Sequence, residues 1–204
     1  MRRLTEVPII RKRETVLAIV SVLTALLISM ACLTGPSNEI TPPGPPWEPV
    51  DSAWKVIENL ECAYNTMDLD LYMSCFREDF EFHLLWYNPH GNSAMQDSFW
   101  GFAVEELIHQ NMFAYVYSIE LTIEGTQESP WIGDTTGQSY QLPRIFDLKV
   151  YTNEAQSGGY RAAGSALFIC RPDTTDDQWY IWQWWDLSDT KESTTWGALK
   201  ALFY

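Results

Sequence analysis

Hydrophobic residues in the second quarter of the chain recur at the spacing of amphipathic helices. In residues 51–65 the apolar positions follow an i, i+3, i+4 pattern, which predicts a first helix. A short polar interruption follows, and Asp68 then occupies the position of an N-cap for a second helix. Residues 93–96 have the form of a capping box, so a third helix is predicted from there to about Met112.

The remainder of the chain is dominated by the period-two alternation of β-strands. Such alternation predicts half-buried strands, and two of the runs are separated by a short polar segment that is typical of a hairpin. The predicted strands are residues 80–86, 115–124, 142–152, 160–171 and 178–187. The chain closes on residues 194–204, a capped amphipathic segment with Trp196, Leu199 and Phe203 on one side.

The strand at 178–187 reads Gln-Trp-Tyr-Ile-Trp-Gln-Trp-Trp-Asp-Leu and contains four tryptophans. Strict alternation gives such a strand two faces. One face would carry Trp179, Ile181, Gln183, Trp185 and Leu187, and the other Tyr180, Trp182, Trp184 and Asp186. Burying all four indole rings therefore requires that both faces of this strand are covered.

The charge of the chain excludes one class of function. The formal net charge is −14 over 204 residues. The first 31 residues hold five basic and two acidic residues, so the remainder has eight basic and 25 acidic residues, a net charge of −17. A surface this negative repels a phosphate backbone, and we expect no nucleic-acid binding.

The N-terminal segment has the pattern of an export signal. A basic stretch is followed by an uncharged apolar run that ends in Ser-Met-Ala-Cys at position 32. This ending resembles a bacterial lipoprotein signal, which implies that residues 1–31 are removed and that Cys32 carries a lipid holding the protein at a membrane. An ordinary secretory signal and an uncleaved membrane anchor are the alternatives. Residues 32–50 are rich in proline and predict an extended tether, which leaves 51–204 as the folded domain.

Three short motifs in the domain resemble the NTF2-like, or SnoaL-like, superfamily. Residues 63–70 read Ala-Tyr-Asn-Thr-Met-Asp-Leu-Asp, residues 75–80 read Cys-Phe-Arg-Glu-Asp-Phe, and residues 179–181 read Trp-Tyr-Ile. The resemblance implies a cone-shaped α+β fold in which about three helices pack on a curved, mainly antiparallel sheet around a blind pocket. The motifs are typical of a fold rather than an activity.

The catalytic residues of the ketosteroid isomerases in this superfamily are not present. Alignment on the motif at 63–70 puts their tyrosine at Leu60 and their general base at Leu84, and neither side chain transfers a proton. An isomerase- or dehydratase-type enzyme would have to use other pocket residues, for which Gln183, His83, Tyr64 and Asp186 are the candidates. We expect neither a catalytic residue nor a cofactor. We also expect no metal site, because the three histidines have no ligands at metal-binding spacing.

The aromatic residues are the remaining functional signal. We predict that Gln183 and Trp185 line the pocket opposite Phe82 and Leu84, and that this pocket binds a small apolar or amphipathic ligand. The superfamily resemblance implies pairing through the convex side of the sheet, so Trp182 and Trp184 are predicted to form a homodimer or partner interface. In the alternative interpretation the C-terminal segment folds over these two rings. A domain that serves only for assembly is a further possibility.

Three cysteines remain within the predicted domain, namely Cys62, Cys75 and Cys170. A disulfide between Cys62 and Cys75 would need an unusual offset between adjoining helices, and buried thiols are the favoured interpretation.

Overall fold

The computed structural model describes residues 46–86, 96–187 and 195–204. The helices are α1 (Ala53–Thr66), α2 (Leu69–Ser74), α3 (Phe102–Tyr115) and α4 (Trp196–Lys200), and a 3₁₀ turn (Ala201–Phe203) follows the last of them. The strands are β1 (Phe76–Trp86), β2 (Gln96–Gly101), β3 (Ser118–Glu124), β4 (Ser129–Pro130), β5 (Tyr140–Tyr151), β6 (Gly159–Pro172) and β7 (Trp179–Leu187). The predicted export signal, Cys32 and most of the tether lie outside the described residues.

The strands form one sheet in the order β2-β1-β7-β6-β5-β3, with the short β4 paired to β5. All of its pairs are antiparallel except β1 with β7, which run parallel. The predicted hairpin is the β5–β6 pair, and the tryptophan-rich strand lies near the middle of the sheet. The α+β class and the mainly antiparallel sheet expected from the sequence are confirmed.

The helices pack on one face of this sheet because their apolar stripes must be buried. Helix α1 places Val56, Leu60 and Tyr64 on its inner side, each at most 1% exposed, and it packs against β3 and β7. Asp68 caps α2 as predicted, since its side chain accepts a hydrogen bond from the backbone N–H of Leu71. In the described part of the chain, no helix is long and apolar enough to span a membrane.

The third helix begins later than the sequence pattern indicates. Residues 96–101 form β2, and the helix starts at Phe102, so the prediction of helix over 96–101 is wrong. The physical reason is cross-strand pairing: Trp100 lies opposite Phe82 of β1, and the two rings stack with centroids 4.4 Å apart. Residues 93–95 of the predicted capping box lie outside the described residues.

Two strand boundaries also differ from the prediction. Helix α3 continues to Tyr115, so β3 begins at Ser118, while β1 begins at Phe76, four residues before the predicted start. The three cysteines of the described residues are buried and none is in a disulfide. The prediction of buried thiols is therefore confirmed.

Candidate functional site

A β-bulge at Trp182 determines which side chains of β7 face the interior. Ile181 pairs with Cys170, whereas Gln183 pairs with Ile169, so Trp182 is an extra residue in β7 that has no opposite partner in β6. Such a residue reverses the alternation for everything that follows it. Ile181 and Trp184 are both fully buried in the core. Trp185, which follows Trp184, is on the other face of the strand and is half-buried.

The predicted division of this strand into an inner and an outer face is therefore wrong beyond the bulge. Trp184 and Asp186 face the interior, at 0% and 1% exposure, rather than outwards. Gln183 and Trp185 face outwards and do not line the interior. Phe82 and Leu84 do face the interior, so the four residues predicted to line one pocket lie on opposite sides of the sheet.

The interior of the cone is filled by the chain itself. Trp196 of α4 is fully buried, 4.3 Å from the Trp184 ring and 4.6 Å from the Phe146 ring. The next residue, Gly197, donates its backbone N–H to the Asp186 carboxylate at 2.6 Å. A Cβ at position 197 would approach the Leu84 side chain to 2.9 Å and the Phe82 ring to 3.0 Å, so a larger residue would require these side chains to shift. The C-terminal segment thus covers Trp184 from the inner side of the sheet.

An ion pair lies at the centre of this filled interior. The Lys200 ammonium is 2.5 Å from a carboxylate oxygen of Glu105, and both side chains have no exposed surface. The other carboxylate oxygen accepts a hydrogen bond from the Trp100 indole N–H at 2.5 Å, and the Tyr72 hydroxyl also donates to the carboxylate. The Lys200 ammonium lies 3.7 Å from the centre of the Trp184 ring.

Burial and pairing act in opposite directions on these two groups. Burial would raise the pKa of Glu105, but the interactions with Lys200, His109 and Tyr72 together outweigh burial and the pKa is lowered. Burial lowers the pKa of Lys200 to about 8, against the opposing attraction of Glu105. Both groups are therefore charged at neutral pH, and each stabilises the other inside the protein.

A series of hydrogen-bonded side chains connects to this ion pair through His109. Burial lowers the pKa of His109 to about 3, so its ring is neutral. Its Nδ1 lies 3.0 Å from the Glu105 carbonyl oxygen, which can only accept, so Nδ1 carries the proton and Nε2 accepts from the Tyr64 hydroxyl at 2.6 Å. The Tyr64 oxygen in turn accepts from the Trp196 indole N–H at 2.8 Å. Every member of this chain is satisfied by a protein partner.

We call these buried residues the core polar cluster, which consists of Tyr64, Tyr72, Trp100, Glu105, His109, Lys200 and Trp196. It contains side chains that do acid–base chemistry in many enzymes, but each titratable group in it is completely buried. None of the cluster residues lines the wide cleft of about 700 Å³ that opens at the end of the sheet that includes Arg77, Arg171 and Tyr180. No group of metal-binding side chains is present in the described part of the chain.

Sequence reasoning missed three residues of the core polar cluster. Glu105 and His109 are four residues apart, on the face of α3 that also carries the buried Ile108 and Met112. Two titratable residues on an apolar helix face were the feature of the sequence that could have indicated a buried polar group. Lys200 lies four residues after Trp196 in an otherwise apolar segment, which gave no sign that its charge is buried.

The opposite side of the sheet carries an apolar row that crosses five strands. Residues aligned by backbone pairing are Phe99, His83, Trp185, Leu167 and Pro143. Within the row, the His83 and Trp185 rings are parallel, with centroids 3.8 Å apart, and Phe99 is 67% exposed. Together with Trp182, we call these residues the outer aromatic face.

Polar groups hold the outer aromatic face in place. Glu81 accepts a hydrogen bond from the Gln183 side-chain amide at 3.0 Å and lies 3.3 Å from a ring nitrogen of His83. The Arg171 guanidinium lies 4.3 Å from the centre of the Trp182 ring. These contacts fix the orientation of Trp182 and Trp185. The predicted contact of Trp182 with a partner stays a prediction.

Comparison with known proteins supports the fold and nothing finer. A conserved protein from Planctomyces limnophilus is 16% identical, with a TM-score of 0.51 over 66% of this chain and 91% of that one. The chain has the NTF2-like fold. At this identity the similarity shows fold alone. No family model matches the chain, and no curated protein matches it.

Two further solved structures resemble the chain at TM-scores below 0.5. One is a Novosphingobium aromaticivorans protein provisionally named an aromatic ring hydroxylase, with 15% identity and a TM-score of 0.49 over 70% of this chain and 90% of that one. The other is a ketosteroid isomerase-like protein from Erwinia carotovora atroseptica, with 16% identity and a TM-score of 0.43 over 68% of this chain and 94% of that one.

Acid should destabilise the fold through His109. The folded-state pKa is about 3, below the value of 6.5 for an unperturbed histidine, so the unfolded chain takes up the proton first as the pH falls. Stability should fall between pH 6.5 and pH 3, by at most about 1.4 kcal/mol for each pH unit. His109→Gln should remove this part of the slope, as measured by urea unfolding at a series of pH values from 7 to 4. Equal slopes in the two chains would contradict the assignment of a neutral buried ring.

Proposed function

We propose that this chain is an exported, membrane-held assembly domain that pairs with a second copy through its outer aromatic face. The observation that supports it most is the row from Phe99 to Pro143, which presents apolar side chains across five adjacent strands. Four steps of about 4.8 Å give this row a width of about 19 Å, the dimension of a protein interface rather than of a small-molecule contact.

The shape of this surface favours a protein partner over a small ligand. Ligand sites are concave and enclose most of their ligand, whereas a sheet face offers a broad surface with aromatic side chains standing on it. The paired row itself contains no Lys, Arg, Asp or Glu, whereas Glu81 and Arg171 border it and contact Gln183 and Trp182 on the same face. Paired charges such as Asp147 with Arg161 lie further along β5 and β6, towards a rim. An uncharged centre with a charged rim is typical of protein interfaces.

Self-pairing follows from the same geometry. A two-fold axis through the centre of the row would bring Trp185 of each copy against the apolar row of the other, and two-fold pairing is the commonest arrangement of homo-oligomers. The high negative charge of each copy opposes association at long range. Because salt screens that repulsion and leaves apolar contacts intact, pairing should become stronger as ionic strength rises.

The anchoring part of the proposal rests on the sequence around Cys32. A lipid on this residue, followed by the proline-rich tether of residues 32–50, would hold the domain off a membrane surface while leaving the outer aromatic face accessible.

Photo-crosslinking in the full chain tests the interface. A benzoyl-phenylalanine at Phe99 should give a product of twice the chain mass in intact cells, because Phe99 lies in the proposed contact. The matched control is Tyr115 on α3, which is 68% exposed against 67% for Phe99 but lies away from this face. Equal yields at the two positions, or no dimer from position 99, would contradict self-pairing. A crosslink to a protein of different mass would show that the partner is another protein and not a second copy of this chain.

Loss of the thiol at position 32 tests the anchor. Cys32→Ala should remove the lipid attachment site and move the protein from the membrane fraction to the soluble fraction, as followed by fractionation and mass spectrometry. Cys62→Ala serves as the control, because Cys62 is buried in the domain. Undiminished membrane attachment of the Cys32→Ala protein would show that an uncleaved apolar segment holds it instead.

A further inference from the structure

The Lys200 ammonium is held in a cage of aromatic rings and one carboxylate. Its nitrogen lies 3.7 Å from the centre of the Trp184 ring, 3.9 Å from that of Phe82 and 2.5 Å from the Glu105 carboxylate. Aromatic faces attract cations, and cages of this kind are used by proteins to recognise ligands that carry an ammonium group. The chain therefore places its own lysine in a site with the chemistry of a cation receptor.

The walls of this cage do not belong to the segment that fills it. Phe82 is on β1, Trp100 on β2, Trp184 on β7 and Glu105 on α3. Trp100 stacks on Phe82 and donates to Glu105, so it fixes two of the other walls. The wall residues thus belong to elements other than residues 195–204, and Trp184 alone of the aromatic walls packs on a ring of that segment, Trp196.

Few backbone bonds hold residues 195–204 against the rest of the protein. Within the described residues, the segment pairs with no strand, and its backbone bonds to the body are two. The Gly197 N–H donates to Asp186, and the Phe203 carbonyl accepts from the Asn111 amide at 2.9 Å. Its attachment rests mainly on the side chains of Trp196, Leu199, Lys200 and Phe203. The segment can therefore be displaced without breaking the sheet.

Lys200 supplies the positive charge beside the buried carboxyl groups of the interior. Glu105 is fully buried and Asp186 is 1% exposed, and among the residues that the structure describes Lys200 is the one cation that acts on both. Withdrawing it would leave the buried Glu105 carboxyl group without its ionic partner, so that the group must either stay charged, which is strongly unfavourable, or take up a proton. Two polar atoms beside the segment, Trp184 Nε1 and Asp186 Oδ1, are buried with no hydrogen-bond partner among the described residues. A bound ligand could form hydrogen bonds with these two atoms, to which Lys200 forms none.

We propose that this cage is a binding site for an arylalkylammonium ion, which enters by replacing residues 195–204. The ammonium would take the position of Lys200 against Glu105, Trp184 and Phe82. The aryl ring would take the position of Trp196, whose ring centre is 6.0 Å from the Lys200 nitrogen. An anionic ligand is excluded by the two carboxyl groups, and the net negative charge of the domain attracts cations.

The cage itself is tested with Lys200→Ala in the full chain. This change removes the part of the side chain that n-propylammonium reproduces. We expect a melting temperature about 10 °C below that of the unchanged protein, because Glu105 loses its partner. At a hundredfold excess over its Kd, n-propylammonium should restore about 5 °C of this loss, while 1-propanol and potassium chloride should not. In Lys200→Met, where a neutral chain fills the cage, n-propylammonium should have no effect.

Equal stabilisation of Lys200→Ala by 1-propanol would overturn the proposal, because the site would then be a cavity without preference for charge. If Lys200→Ala does not fold alone, recovery of its near-ultraviolet circular dichroism in n-propylammonium, and not in 1-propanol, supports the site. Failure to fold with either compound contradicts it.

Displacement is tested on the unchanged full chain with tryptamine, which joins an indole ring to an ammonium group. Hydrogen exchange at residues 195–204 should become at least about tenfold faster at saturating tryptamine, while exchange in α3 stays as it was. Tryptophol, in which a hydroxyl replaces the ammonium, is the matched control and should leave both unchanged. No change in exchange with tryptamine, or the same change with tryptophol, would overturn the proposal.

Discussion

The buried pair between Lys200 and Glu105 is the interaction on which the closed interior depends. Taking an ammonium and a carboxylate out of water is costly, and the cost is recovered only where geometry and further hydrogen bonds are good. Here Trp100 and Tyr72 satisfy the carboxylate, and two aromatic rings face the ammonium. The same pair brings α4 into the cone, where Trp196 completes the hydrogen-bond chain through Tyr64 and His109. The interior beneath the sheet is in this way filled by the protein's own C-terminal segment.

Because the interior is filled, we expect a functional contact on the outer side of the sheet. The polar residues inside satisfy one another and are closed to solvent, so they stabilise the fold in the form described. The opposite face carries a row of aromatic and apolar side chains fixed by strand pairing, in which Phe99 is 67% exposed. The two sides of β7 thus have separate roles: Trp184 belongs to the core, and Trp185 belongs to the surface.

Much of the fold could be predicted from the sequence, because period and capping are local properties. The first two helices, the β5–β6 hairpin and the tryptophan-rich strand follow from them. The orientation of that strand could not be predicted, because the bulge at Trp182 arises from its pairing with β6 and has no local signature. The pair formed by Glu105 and Lys200 could not be predicted either, since 95 residues separate the partners and each alone resembles an ordinary surface charge.

A double-mutant cycle on Lys200 and Glu105 tests the central claim most directly. The free energy of unfolding would be measured for Lys200→Met, Glu105→Gln and the combined change. If the pair closes the interior, each single change should cost about 3 kcal/mol, and the combined change should cost at least about 2 kcal/mol less than the sum of the two. Costs that add to within about 0.5 kcal/mol would show that the two side chains are not coupled, and would contradict this account.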